Sequence, residues 1–112
     1  MTWQKNLLTG TLALLLGASA FARDVLVDVR SSQEFDSGHL QGAINIPHTA
    51  IATELAKQGV GHDDHIVLYC QSGRRAGLAL DTLKALGFGH VENVGGLAQA
   101  QSRLNLPLRT DR

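Results

Sequence analysis

The sequence holds one cysteine, one tryptophan, one tyrosine and two prolines in 112 residues, and its ten basic side chains are matched by ten acidic ones. A lone thiol, Cys70, can close no internal disulfide, so the domain has to stand on its apolar core. A formal charge of zero leaves no basic excess for nucleic acid or an anionic lipid surface, and the polar residues are scattered rather than striped along one face. No Walker loop occurs, and Gly87-Phe88-Gly89 is too short for a dinucleotide fingerprint, so no cofactor is expected. There is no internal repeat and no linker, and the length suits one compact domain.

The first segment reads as a leader rather than as part of the core. Lys5 precedes an apolar run from Leu7 to Gly17 that ends in small residues, the pattern of a signal peptide. The run is interrupted by Thr9 and Thr11 and falls short of the about 20 apolar residues that cross a bilayer. Cleavage after Ala20 or after Ala22 would place small side chains at alternate positions. We take Ala22, so that residues 1–22 are the signal peptide and residues 23–112 the folded domain. Its removal takes away Lys5 and Trp3, leaving a nearly neutral domain without tryptophan. No cysteine lies near the cleavage site to carry a lipid, so the expected location is periplasmic or secreted, with neither membrane nor nucleic acid as partner.

Short apolar β-branched runs, Val25-Leu26-Val27-Asp28-Val29 and Ile66-Val67-Leu68-Tyr69, suit buried parallel strands. Ala43–Ile46, stopped by Pro47, and His90–Asn93 are weaker strand candidates. Ser31 with Glu34 forms a capping box, and Thr49 is placed to cap a helix running to about Gln58, before Gly59. The longest helix is expected after Cys70, because Ala76, Ala79, Leu80, Leu83 and Leu86 recur at helical spacing and Gly87 supplies a left-handed stop. From about Ser102 no period is evident. Alternating strands and helices predict an α/β fold with a central parallel sheet covered by helices on both faces.

The chemistry concentrates in Tyr69-Cys70-Gln71-Ser72-Gly73-Arg74-Arg75-Ala76, where a strand ends and a helix begins. Open α/β sheets bind ligands at the carboxyl ends of their strands. There the first-turn amides have no intrahelical partners and point toward any anion. Such a junction, with cations nearby, favours a thiolate at Cys70. Gly73 can take the positive φ of a tight anion-binding nest, and Arg74 and Arg75 bring charge and donors, one toward the site and the other toward solvent. A cysteine that merely packs at a strand end is the plain alternative.

Ordered motifs span nearly the whole mature chain: Asp28-Val29-Arg30, Glu34-Phe35, Gly38-His39-Leu40-Gln41-Gly42-Ala43-Ile44-Asn45-Ile46-Pro47, the Cys70–Arg75 loop, and Val91-Glu92-Asn93-Val94-Gly95-Gly96-Leu97. With them the chain resembles single-domain rhodaneses, most of all the periplasmic phage-shock-type thiosulfate sulfurtransferases. The resemblance implies a rhodanese-like three-layer fold. It also implies transfer of sulfane sulfur from thiosulfate to cyanide or another thiophilic acceptor through a Cys70 persulfide, with Gln71, Ser72, Gly73, Arg74 and Arg75 as the substrate loop. Asp28, Arg30, Glu34 and His39 match positions that are mainly structural in that family. Asn93, Gly95 and Gly96 match a turn at the rim of the site, though a glycine pair is also a plain turn signal. Many relatives have tryptophan four residues after the second glycine. Here that position is Ala100, which predicts a more open rim.

Two rival activities share these features. Cysteine phosphatases and arsenate reductases use a similar cradle but place arginine six residues after cysteine; here Arg75 is the fifth residue and Ala76 the sixth. A non-enzymatic sulfane-sulfur carrier or sensor would use the same loop without turnover. His62-Asp63-Asp64-His65 contains metal-ligand types but reads as a turn before a strand, so no metal site is assigned. His48 and His90 read as surface residues.

Overall fold

The computed structural model describes residues 22–111. Apart from Ala22, the expected signal peptide lies outside the described residues. Strands β1 (Asp24–Asp28), β3 (Ile44–Asn45), β4 (His65–Cys70) and β5 (Val91–Gly96) form one parallel sheet in the order β3-β1-β4-β5. Helices α1 (Ser32–Ser37), α2 (Ile51–Lys57), α3 (Arg74–Ala85) and α4 (Leu97–Leu104) cover it. The three-layer α/β architecture is therefore as expected.

Side-chain alternation along β4 assigns the two cores. Ile66, Leu68 and Cys70 point to one face and pack with Val27, Val29, Ile51, Leu55, Ala76, Ala79 and Leu83, so α2 and α3 cover that face. Val67 and Tyr69 point to the other, where Leu40, Val94 and Ala100 meet them under α4. A central strand with both faces covered needs the nearly unbroken apolar run that the sequence has at positions 66–69.

Several elements depart from expectation. Thr49 caps nothing: it lies inside a 3₁₀ turn, His48–Ala50, and Ala50 precedes α2 without a side-chain cap. The turn is closed by the Ala50 N–H donating to the Pro47 carbonyl at 2.8 Å, so the chain enters α2 already wound. Leu86 falls outside the buried stripe of α3 as its half-exposed C-cap; Gly87, at φ +95°, makes the expected stop. The segment after Ser102 is ordered: α4 continues to Leu104, and β6 (Leu108–Arg109) pairs antiparallel with β2 (His39–Leu40) in a small second sheet.

The glycine pair expected in a turn lies instead within β5. Leu68 pairs with Asn93 but Cys70 pairs with Gly96, so β5 carries one extra residue opposite Tyr69. A bulge of this kind bends a strand and re-aims the residues beyond it. It sits at the carboxyl end of the sheet, directly beside the end of β4.

Candidate active site

Cys70 is the last residue of β4, and four residues later α3 begins. Gly73 is the N-cap of α3 and has no side chain with which to cap it. The Cys70 sulfur takes that place: the Gly73 N–H donates to Sγ at 2.9 Å and the Ala76 N–H at 3.4 Å. These are the N-cap amide and that of the third helical residue, which no carbonyl of the helix reaches. The thiol is at the same time fully buried, 0% exposed, among the residues of the first core. It packs at a strand end and also lies at the focus of inward-aimed peptide dipoles.

The loop holds this shape through its neighbours. Gly73 has φ +95°, a region costly for any residue with a Cβ. Its carbonyl accepts from Asn93 Nδ2 at 2.9 Å, while Asn93 Oδ1 accepts the Gly95 N–H at 2.9 Å, so one side chain ties the loop to the bulge of β5. At Gly96 the constraint is contact: a Cβ there would run into the Gln71 carbonyl and lie 3.1 Å from Ser72 Cα. The Gly96 N–H donates to Gln99 Oε1 at 2.9 Å, which fixes the start of α4 beside the same loop.

On the other side, the two arginines diverge, though not in the way expected, since the inward one is engaged by a carboxylate. Arg74 is exposed. Arg75 turns to Glu34, with Nη1 to Oε1 at 2.7 Å and Nη2 to Oε2 at 2.9 Å. Glu34 also closes the predicted capping box, accepting the Ser31 N–H at 3.0 Å while its own N–H donates to Ser31 Oγ. The Arg75 fork holds the Glu34 carboxyl down at about 2.

Beneath the loop lies a buried ion pair. Asp28 is fully buried and accepts from the backbone N–H and from Nε and Nη2 of Arg30, the last at 2.7 Å. The rest of the guanidinium reaches the Gly38 carbonyl at 2.6 Å and Gln71 Oε1 at 3.2 Å, so this pair supports the loop itself. Burial works against the Arg30 charge, but Asp28 more than offsets it and the guanidinium is held more firmly protonated than usual. Arg30 also lies 5.9 Å over the Tyr69 ring. The Tyr69 hydroxyl accepts the Leu40 N–H at 3.0 Å, and burial raises its pKa well above the ordinary range. His39 Nδ1 donates to the Phe35 carbonyl at 2.8 Å and its ring stacks on Phe35 at 3.6 Å, which pins α1 to β2.

The structure thus brings together Cys70, Gln71, Ser72, Gly73 and Arg75, with Asp28, Arg30 and Glu34 behind them. Ala100, expected at the rim, is fully buried in the second core. The His62–His65 segment is a turn and strand start. Asp64 accepts the N–H groups of Gly61 and Arg23, His62 packs edge-on against Phe88, and His65 bridges Asp24 and Glu92 at the far end of the sheet. The bracing by Asn93 has no signal in the sequence, because an amide beside a glycine pair looks like an ordinary turn.

Comparison with known proteins agrees with this architecture. The chain is 38% identical over 95 residues to the thiosulfate sulfurtransferase PspE of Escherichia coli strain K12, covering 85% of this chain and 89% of that protein. It is 30% identical over 100 residues to the human thiosulfate:glutathione sulfurtransferase, covering 79% and 87% of the two chains. Among solved structures, a rhodanese with anions from E. coli superposes with a TM-score of 0.71 at 33% identity, covering 79% of this chain and 99% of that one. Residues 11–102 match the model of the rhodanese-like domain, and the chain belongs to that family.

Proposed function

We propose that the mature domain is an exported sulfurtransferase that takes the sulfane sulfur of thiosulfate onto Cys70 and passes it to cyanide or another thiophilic acceptor. The convergence of the Gly73 and Ala76 amides on Sγ carries this reading, because it favours a sulfur that bears negative charge. The Cys70 thiolate attacks the outer sulfur of thiosulfate; a Cys–S bond to that sulfur forms, its bond to the sulfite sulfur breaks, and sulfite leaves with the electron pair. The acceptor then attacks the outer sulfur of the anionic persulfide, and with cyanide the products are thiocyanate and the restored thiolate. Charge is conserved in both steps, and no external oxidant is consumed.

Relatives named thiosulfate sulfurtransferases support the donor, and the N-terminal segment with Lys5 and the run to Gly17 supports export. Arg74, exposed beside the loop, is the cation placed to attract thiosulfate and to steady departing sulfite. Cys70 is fully buried, while Gln71 and Ser72 beside it are exposed.

A carrier holding one equivalent of sulfur without turnover would use the same buried sulfur and is the second reading. A thiosulfate:cyanide assay on processed protein separates the two. An enzyme forms many equivalents of thiocyanate per chain, a carrier stops after one, and Cys70→Ser forms none.

A further inference from the structure

The chain just ahead of β1 makes contacts that the sulfur-transfer chemistry leaves unused. Ala22 and Arg23 are exposed and belong to neither strand nor helix. The backbone nitrogen of Arg23 is nevertheless held in place: it donates to Asp64 Oδ1 at 3.1 Å, across 41 positions of sequence, while the Arg23 carbonyl accepts the His65 N–H at 2.9 Å. The guanidinium of the same residue reaches the Gly59 carbonyl at 3.2 Å and stands 3.5 Å from Asp64 Oδ2. Asp64 is itself fixed, because its Oδ2 accepts the Gly61 N–H at 2.8 Å in the turn before β4. The Gly61 and Arg23 amides hold its carboxyl below the usual carboxylate range, so it stays ionised. A half-buried carboxylate is thus aimed at one backbone nitrogen, and that nitrogen is the one a cut after Ala22 would free.

We infer that removal of the leader after Ala22 turns the Arg23 nitrogen into an ammonium whose counter-ion, Asp64, is already in place, so that processing itself tightens the amino end of the domain. This rests on the export reading and adds to it a receptor for the new chain end. In the cleavage a peptidase adds water across the Ala22–Arg23 bond. The C–N bond breaks, the water oxygen joins the Ala22 carbonyl carbon to give a carboxylate that leaves with the leader, and both water protons go to the Arg23 nitrogen. A neutral donor becomes a charged one at the same atom, and charge-assisted hydrogen bonds are about twice as strong as neutral ones. A cut after Ala20 would leave Phe21 and Ala22 attached and the Arg23 nitrogen an amide. An α-amino group ordinarily titrates at about pH 8. Beside a carboxylate it titrates higher, so its contribution is present below the ordinary value and lost as pH rises through the elevated one. The other charged groups around it are its own guanidinium, His62 and Asp63 on the turn, Asp24 on β1, His65 on β4 between Asp24 and Glu92, and Lys57 of α2, paired with Glu54. All of these are common to precursor and product.

The test compares the full-length precursor with the protein recovered after export, each as wild type and as Asp64→Asn, by denaturant unfolding between about pH 6 and about pH 10. Intact mass identifies the first residue of the processed chain. At the low end of that range Asp64→Asn should lower the folding equilibrium constant about two- to fivefold more in the processed chain than in the precursor, the size expected of a partly exposed ion pair. The excess should vanish at the high end, where the amine is neutral. The Gly61 bond and the Arg23 guanidinium act on Asp64 in both forms and cancel. An excess that is absent, or that does not change with pH, overturns the inference. As a readout independent of unfolding, the α-amino nitrogen of the processed protein, followed by NMR, should titrate at higher pH in wild type than in Asp64→Asn; equal midpoints overturn it as well. A processed mass beginning at Phe21 refutes the cut after Ala22 and this role of Asp64 together. A mass beginning at Arg23 with no coupling refutes the role of Asp64 and leaves the export reading standing.

Discussion

Arg75 grips both carboxylate oxygens of Glu34, at 2.7 and 2.9 Å, and so fastens the first turn of α3 to α1 across 41 positions of sequence. The neighbouring Arg74 is exposed. Adjacent arginines in one loop therefore do different work, and their substitutions should separate. Arg75→Ala should cost about 1–2 kcal/mol of stability, toward the low end because both partners are partly solvated. Arg74→Ala should leave the thermal midpoint unchanged while raising the KM for thiosulfate. Thermal unfolding and steady-state kinetics on the two variants check this; a larger stability loss in Arg74→Ala would contradict it.

The same ion pair gives a pH signature. Glu34 is held at about 2 in the folded chain, below its ordinary value near 4.5, so its contribution is present above the unfolded value and lost as pH falls from about 4.5 to about 2. His65 has the opposite sign. It donates to Asp24 at 2.9 Å and to Glu92 at 2.7 Å, and these carboxylates raise its pKa. Its contribution is present below the ordinary histidine value and lost as pH rises through the elevated one. Denaturant titrations should show Glu34→Gln flattening the acid limb and His65→Gln the near-neutral one; unchanged limbs in the variants would refute the assignments.

Asn93 is predicted to matter for the loop more than for the fold. Asn93→Ala removes the bonds to the Gly73 carbonyl and the Gly95 N–H, at a cost of about 1–3 kcal/mol, and frees the segment that aims the Gly73 amide at sulfur. Hydrogen exchange should quicken at residues 71–76, with the β1–β4 ladder still protected. Gly96→Ala forces the loop away from β5 and should impair sulfur uptake more severely than Asn93→Ala. Uniformly faster exchange across the sheet would mean that Asn93 is simply part of the fold.

A buried charge makes the sharpest stability prediction. Asp28→Asn leaves the Arg30 guanidinium beneath the loop without its counter-ion, and breaking such a pair costs about 3–5 kcal/mol. Denaturant unfolding of the variant measures it directly; a loss below about 1 kcal/mol would show that Gly38 and Gln71 suffice to hold the guanidinium.

The sheet was legible where strands are buried on both faces, because positions 25–29 and 66–69 carry the apolar run that burial demands. The helix after Cys70 was legible from its stripe and from Gly87. What escaped depends on contacts distant in sequence. Leu108 and Arg109 form a strand only because β2 is there to pair with them, and no periodicity in two residues announces it. Gly95 and Gly96 lie within a strand rather than a turn because the Cys70 loop occupies the space a Cβ would fill. Ala100 is a core position because α4 packs over Val67 and Tyr69. At the candidate site, local sequence placed Cys70 at the junction of strand and helix, but the partners of Arg75 and Asn93 lie 41 and 20 positions away.

The most direct test of the central claim is the intact mass of the mature domain after incubation with thiosulfate and removal of excess reagent. A sulfur held by the Gly73 and Ala76 amides should gain the mass of one sulfur atom, release an equivalent of sulfite, and return to its original mass with cyanide. Cys70→Ser should gain nothing. A wild-type mass unchanged by thiosulfate, in protein whose fold is intact, would contradict the account.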